Sequence, residues 1–381
     1  MPVYLDYNAT APLLPEVLEA MRPFLTAEFG NASSLHSFGR AARQAIESAR
    51  TQVAYAIDAA PDEIIFTGCA TESNNFFFKN FAGKAILMSE IEHPAAIQPA
   101  WQMVRCGADL RFIAPNENGE ITPESLESAL AQKKADAVAI MAANNETGAI
   151  NDIAALAAVA QNFDPKIVFH TDAVQAFGKI PVSFADFKKH GGATMALSSH
   201  KIGGPQGVGA FVFRRDLDLN PLLAGGGQEQ GLRSGTENVA GIVGFGMAAA
   251  LAAARQKEYA RHTQKLREIL EVGLKNLGAT IFAENAAARL PNTTYFAFPN
   301  LDGATLVAQL DAQGFAVGSG SACGSGKTRA SVVLKAMQTP PELAQGAVRV
   351  SLGRANTESQ IADFLTALSK TLERLKNLSA F

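Results

Sequence analysis

Lys201 stands in the run Ser198-Ser199-His200-Lys201, between two apolar stretches at residues 193–197 and 208–213. Gly203, Gly204, Gly207 and Gly209 bend the chain behind it. The apolar stretches read as strands, so the lysine lies at a strand end on a glycine-flanked turn. Partial burial there lowers an amine's pKa and frees it as a nucleophile, which makes Lys201 a candidate Schiff-base former. Ser198 and His200 add donors for an anion. A solvated lysine after an edge hairpin would need no partners, yet the chain supplies them: Ala70-Thr71 at a helix start, His93, Asn145, and Asp172 with Gln175.

The elements that must bring these residues together alternate in type. Apolar strands are expected at residues 63–67, 84–89, 110–114, 136–142 and from 167 toward Asp172. Helices are expected from Pro15, at about 40–57, after Ala70, at 93–106, from Thr122 as N-cap, and at 152–163. This alternation predicts an α/β fold with a mostly parallel sheet covered on both faces. In such sheets the site lies outside the carboxyl ends of the strands, and every polar residue named above follows a strand. Together they are the parts that hold pyridoxal phosphate. Lys201 meets the aldehyde, and Asp172 keeps the pyridine nitrogen protonated so that the ring can accept carbanion electrons. The helix after Ala70-Thr71 offers its N-terminus to the phosphate, with Ser198 and His200 adding donors. Gln175 and Asn145 are placed to bond the ring hydroxyl, and His93 to stack on the ring.

Composition sets the bounds. The 381 residues are 48% hydrophobic and 18% charged, with a net charge of -3. This predicts a globular two-domain chain with no nucleic-acid partner. Three cysteines, Cys69, Cys106 and Cys323, argue against a disulfide framework and for a reducing compartment. The start has no basic and apolar leader pattern, so no signal peptide is expected. The apolar run 239–254 is shorter than the roughly 20 residues of a membrane span and rich in Ala and Gly, which suits a buried packing helix. A cytoplasmic protein without a membrane partner or a metal site is expected.

The motifs resemble those of the cysteine desulfurases of the NifS/IscS-type group, fold-type I pyridoxal-phosphate enzymes like the class V aminotransferases. The matching residues are Tyr4-Leu5-Asp6-Tyr7-Asn8-Ala9-Thr10, Phe29-Gly30-Asn31, Ala70-Thr71-Glu72-Ser73-Asn74, Glu92-His93, Asn144-Asn145-Glu146, Asp172 with Gln175, Ser198-Ser199-His200-Lys201, Arg233-Ser234-Gly235-Thr236 and Gly318-Ser319-Gly320-Ser321-Ala322-Cys323. The resemblance implies a large cofactor-binding domain at 15–250 with a seven-stranded-like sheet. It also implies a small α+β domain at 251–381 carrying a cysteine loop at about 319–331, and an arm, 1–14, packed on the small domain.

The resemblance further implies roles. Lys201, His93 and Cys323 are catalytic. Arg349, Asn145 and Asn8 bind the substrate L-cysteine, and Thr236 reaches the cofactor phosphate of the other subunit of a homodimer. A guanidinium suits a carboxylate because it grips it through two parallel bonds. The Cys323 thiolate, favoured by nearby Lys327 and Arg329, would take the substrate sulfur, leave L-alanine and pass the persulfide sulfur to an acceptor. That acceptor would be an iron–sulfur scaffold or a tRNA-thiolation protein. The competing reading is a pyridoxal-phosphate aminotransferase or β-lyase in which Cys323 is incidental. The chain departs from the usual pattern at Cys69, which follows Gly68 where Ser-Gly is common, and at Ala32, Ala330 and Val332.

Overall fold

The computed structural model describes residues 2–319 and 331–379. The first part runs β1 (Val3–Tyr4), α1 (Pro15–Leu25), α2 (Ser37–Ala56), β2 (Ile64–Thr67), α3 (Ala70–Lys79), β3 (Ala85–Ser89), α4 (Pro94–Arg105), β4 (Asp109–Ile113), α5 (Pro123–Gln132), β5 (Ala137–Ala139) and α6 (Ile153–Phe163). It continues through β6 (Val168–Asp172), α7 (Phe184–Lys189), β7 (Gly192–Ser198), β8 (Gly209–Phe213) and the long α8 (Val239–Asn276). The last part holds β9 (Thr280–Ile281), β10 (Thr293–Ala297), α9 (Gly303–Asp311), β11 (Phe315–Ala316), α10 (Val332–Ala336), α11 (Pro341–Ala344), β12 (Val348–Ser351) and α12 (Glu358–Ser379).

Seven strands form the central sheet in the order β2-β8-β7-β6-β5-β3-β4. The β4, β3, β5, β6 and β7 ladders are parallel, while β8 runs antiparallel to both β7 and β2. The residues of β2, β7 and β8 are buried on both faces, as a sheet sandwiched by helices requires, while the edge strand β4 is only partly buried. On one face α3 buries three consecutive phenylalanines, Phe76, Phe77 and Phe78, each fully buried. Phe76 meets Phe211 of β8 at 4.6 Å, and Phe77 stacks on His170 of β6 at 4.3 Å. Truncating one such ring to alanine costs about 3–5 kcal/mol, because the cavity cannot collapse. The start of α3 is thereby fixed against the strand that carries Asp172.

The other face is covered by α2, α5, α6, α7 and the first half of α8. The Gly/Ala run of α8 has a packing cause: a Cβ at Gly246 would lie 2.6 Å from Ala49 Cα of α2, so only glycine permits this crossing. By length and composition α8 could cross a membrane, yet Ala240, Ile242, Phe245, Ala248 and Ala249 are buried against protein and its second half is highly charged. It is a core helix. The 250/251 division falls inside it, since Leu266, Leu270 and Leu274 belong to a second core with β10, β12 and α12. The arm ties the two parts together, with β1 pairing in parallel with β11.

Candidate active site

The carboxyl ends of β6 and β7 and the first turn of α3 surround one cavity. It is lined by Cys69, Ala70, Thr71, His93, Asn145, Asp172, Gln175, Ser198, His200 and Lys201, with Ala95, Met141 and Val174. The cofactor-site residues expected from one chain's sequence thus share one wall-to-wall space. Thr236 does not line it and is exposed on the surface. Cys323 lies outside the described residues, as do Lys327, Arg329 and Ala330.

Lys201 closes a short 3-10 turn, Ser199–Lys201, directly after β7. Gly203 takes φ +83°, a left-handed conformation that turns the chain back toward β8. The Lys201 amine donates to the backbone carbonyls of Asn8 at 2.6 Å and Ala9 at 2.7 Å. Burial lowers its pKa from 10.5 to about 8; Arg349 adds to the fall, while Asp172 and Asp6 oppose it. Such an amine is still mostly protonated at neutral pH, but its neutral, nucleophilic fraction is far larger than that of an ordinary lysine.

Asp172 ends β6. Its Oδ1 accepts from Val174 N at 3.0 Å and its Oδ2 from Asn74 Nδ2 at 2.9 Å, which leaves lone pairs on both oxygens for a third donor. Asn74 is itself held by His170, whose Nε2 lies 3.0 Å from Asn74 Oδ1, and His170 Nδ1 lies 2.9 Å from Thr194 Oγ1. Because the carboxylate only accepts, Asn74 must offer its amide, His170 must donate from Nε2, and Thr194 must donate to Nδ1. Burial keeps His170 neutral, with its pKa at about 3. Asn74 and His170 were not foreseen as site residues; both lie in mixed polar and apolar runs, ATESNNFFFK and VFHTD, that do not single them out.

The first turn of α3 is built to receive an anion. Its N-cap residue, Cys69, makes no side-chain cap bond, so the backbone donors of the first turn keep their capacity. Gly209 of β8 lies against this turn: a Cβ there would sit 2.7 Å from Leu197 O and 2.8 Å from the Cys69 carbonyl carbon. Glu72, in the same turn, is neutralised by Arg233 at 2.7 Å. Ser198 is buried at the cavity edge. His200 is held near Thr10 Oγ1 at 3.1 Å, and burial, with Lys201 second, brings its pKa to about 4. An uncapped helix start, a desolvated lysine and an acid with open lone pairs fit pyridoxal phosphate.

His93 serves two purposes. Its Nδ1 accepts from Ala95 N at 3.0 Å and caps α4, while the ring faces the cavity. Desolvation holds its pKa below the usual imidazole value; Lys201 and Arg349 add to this, against Asp172. Two expected contacts read differently in the structure. Asn8 cannot spare its side-chain amide for a substrate, because Nδ2 donates to Asn145 O and Thr293 Oγ1 and Oδ1 accepts from Lys179 and Asn292. What it offers the site is its backbone carbonyl. Gln175 has its Oε1 on Lys179 at 2.5 Å and one N–H on the Asn8 carbonyl, leaving one N–H for the cavity. Lys179, buried and shifted well below a normal lysine by desolvation, was also not foreseen.

Arg349 lies on β12, opposite Tyr295, and is 7% exposed. Its Nη1 donates to Asn145 O at 2.9 Å and its Nη2 to Asp6 Oδ1 at 2.7 Å. The guanidinium therefore adjoins the Asn145 side of the cavity. Beyond it, Glu146 takes a bond from Ser331 Oγ, the residue that caps α10.

A mostly parallel sheet with a desolvated lysine ending one strand and an acid ending its neighbour defines the pyridoxal-phosphate transferase class of α/β proteins. A family model, Aminotransferase class-V, matches residues 3–364. A cysteine desulfurase IscS from Dictyoglomus turgidum is 41% identical over all of this chain and 96% of its own length, and one from Methanosarcina thermophila is 38% identical over 99% and 93%. A solved NifS-like protein superposes with a TM-score of 0.91 at 37% identity, over 98% of this chain and 100% of that one. The chain belongs to the class V aminotransferases and, within them, to the cysteine desulfurase family.

Proposed function

We propose that the chain converts L-cysteine and the Cys323 thiol into L-alanine and a Cys323 persulfide. The observation that carries the reading is the desolvated Lys201 amine facing the same cavity as the Asp172 carboxylate and the uncapped start of α3. Pyridoxal phosphate, when bound, supplies an electron sink for charge developing at the substrate's α-carbon. Ala70, Thr71, Ser198 and His200 would hold its phosphate, Asp172 its ring nitrogen, Gln175 and Asn145 its ring hydroxyl, and His93 its face. Lys201, with a pKa near neutrality, can take and return the α-proton. Arg349 would receive the substrate carboxylate beside Asn145. The Cys323 thiolate then attacks the substrate sulfur; the new S–S bond forms as the carbon–sulfur bond breaks, and the electron pair left on carbon takes a proton to give alanine.

The exposed Thr236 supports a homodimer in which each chain completes its partner's phosphate cup. The persulfide sulfur would pass to an acceptor protein or small thiol, for iron–sulfur clusters or thiolated tRNA, in the reducing cytoplasm. Cys323→Ser tests the reading. The variant should still bind the cofactor and L-cysteine, seen by absorbance, but yield neither alanine nor a mass gain of one sulfur atom. Pyruvate, ammonia and sulfide from L-cysteine at the wild-type rate would instead assign a β-lyase.

A further inference from the structure

The arm preceding α1 does more than link the two cores. Residues 6–9 receive three of the cations near the cavity: Lys201 on the Asn8 and Ala9 carbonyls, Lys179 on Asn8 Oδ1, and Arg349 on Asp6 Oδ1. The first three of these contacts are to neutral acceptors. The fourth is a charge pair, with the side chains of Arg349 and Asp6 only 9% and 20% exposed. Asp6 is held in register by the backbone, because Ser351 N donates to Leu5 O and Tyr7 N donates to Ser351 O.

A guanidinium presents two edges to a carboxylate, one made by Nη1 and Nη2 and the other by Nε and Nη2. Nη2 belongs to both, and Nη2 is the atom that Asp6 holds. The Nε edge is roofed by Gly318: a Cβ there would lie 3.0 Å from Nη2, 3.4 Å from Nε and 3.0 Å from Asp6 Oδ1. Nε is buried without a partner among the described residues. On the other edge, Nη1 is already on Asn145 O. A carboxylate arriving at either edge therefore comes into contact range of the Asp6 carboxylate, and two like charges on one guanidinium repel each other.

We propose that Asp6 is the resting counter-ion of Arg349, with which the carboxylate of an incoming amino acid must compete, so that Asp6 sets how tightly substrate and product are held. This rests on Arg349 being the carboxylate site. The arrangement keeps the buried guanidinium compensated and aligned while the site is empty. It also weakens the grip on L-alanine, which carries the same carboxylate as the substrate and has to leave.

Asp6→Asn tests this on the cofactor-loaded protein. The amide oxygen keeps an acceptor for Nη2 but removes the charge. KM for L-cysteine should fall about tenfold or more, the effect of relieving a close like-charge contact, and L-alanine should become a correspondingly stronger inhibitor. Binding of cysteamine, an aminothiol without a carboxylate, followed through the absorbance of the bound cofactor, should not change. A KM for L-cysteine that is unchanged or raised, in a variant with wild-type melting temperature and cofactor content, overturns the proposal. Arg349→Gln separates the two layers: if it raises KM for L-cysteine while Asp6→Asn does nothing, only the role of Asp6 fails. If Arg349→Gln leaves KM unchanged, the carboxylate assignment itself fails.

Discussion

The Lys201 amine offers a test with a worked magnitude. Burial brings its pKa to about 8. At about pH 7.4 such an amine is neutral in about a fifth of the molecules, against about one in a thousand at an ordinary lysine value, a gain of roughly 250-fold in reactive nucleophile. Capture of pyridoxal phosphate by the apo-protein, followed by stopped-flow absorbance, should therefore accelerate with pH through a midpoint near 8. The neighbours give the signs of two perturbations. Arg349 disfavours the ammonium, so Arg349→Gln moves the midpoint up; Asp172 favours it, so Asp172→Asn moves the midpoint down. A wild-type midpoint near 10.5, or shifts of the opposite sign, refutes the burial argument.

Two further outcomes are expected. Gly209→Ala should press β8 away from the start of α3, and an overpacking cost of about 1–3 kcal/mol at that point translates to roughly tenfold or more weaker cofactor binding, read by titrating the apo-protein. Glu229→Ala removes the acceptor of three buried bonds, two from Arg50 at 2.8 and 2.7 Å and one from Phe66 N at 2.7 Å. It should cost about 3 kcal/mol in urea unfolding, because the buried Arg50 is left with the Ile64 carbonyl and the half-exposed Glu47 as its remaining partners.

The parts of the site that were legible in the sequence are those that obey a local rule. Lys201, Asp172, Ser198 and Ala70-Thr71 each follow an apolar strand, and a parallel sheet sends all such ends to one edge. Thr122 as the cap of α5 was legible for the same reason: a cap is local. Strand direction was not. Nothing in residues 208–213 reveals that β8 runs against both its neighbours, because that depends on where the chain returns. The six-residue α7 was missed because it is too short to show a period. Asp6 and Arg349 are 343 positions apart, so their pairing is a property of the folded arm and not of either motif. Lys179, Asn74 and His170 escaped because each is buried through a hydrogen-bond network that composition cannot display.

Charge decides what the two halves of the site can bind. Among the described residues lining the cavity, Lys201 is the only lysine or arginine. His200 and His170 are held neutral by burial, and Arg233 is spent on Glu72. A phosphate dianion at α3 must therefore be held by the helix dipole, backbone N–H groups and neutral hydroxyls, which is geometry more than charge. That explains why the precise approach of Gly209 matters there and why another neutral hydroxyl, such as Thr236, would fit. The acids follow the same division. Burial, with Asp172 adding, raises the pKa of Glu92 to about 8, so at neutral pH it is largely protonated and leaves Asp172 without a second full negative charge alongside. The strong opposite charges are concentrated instead at Arg349 and Asp6, away from the phosphate end. The cavity thus has a phosphate end that depends on shape, with the Arg349–Asp6 pair lying beyond its Asn145 side; on the proposed reading, a substrate must present both an amine to the Lys201 end and a carboxylate that contends with Asp6.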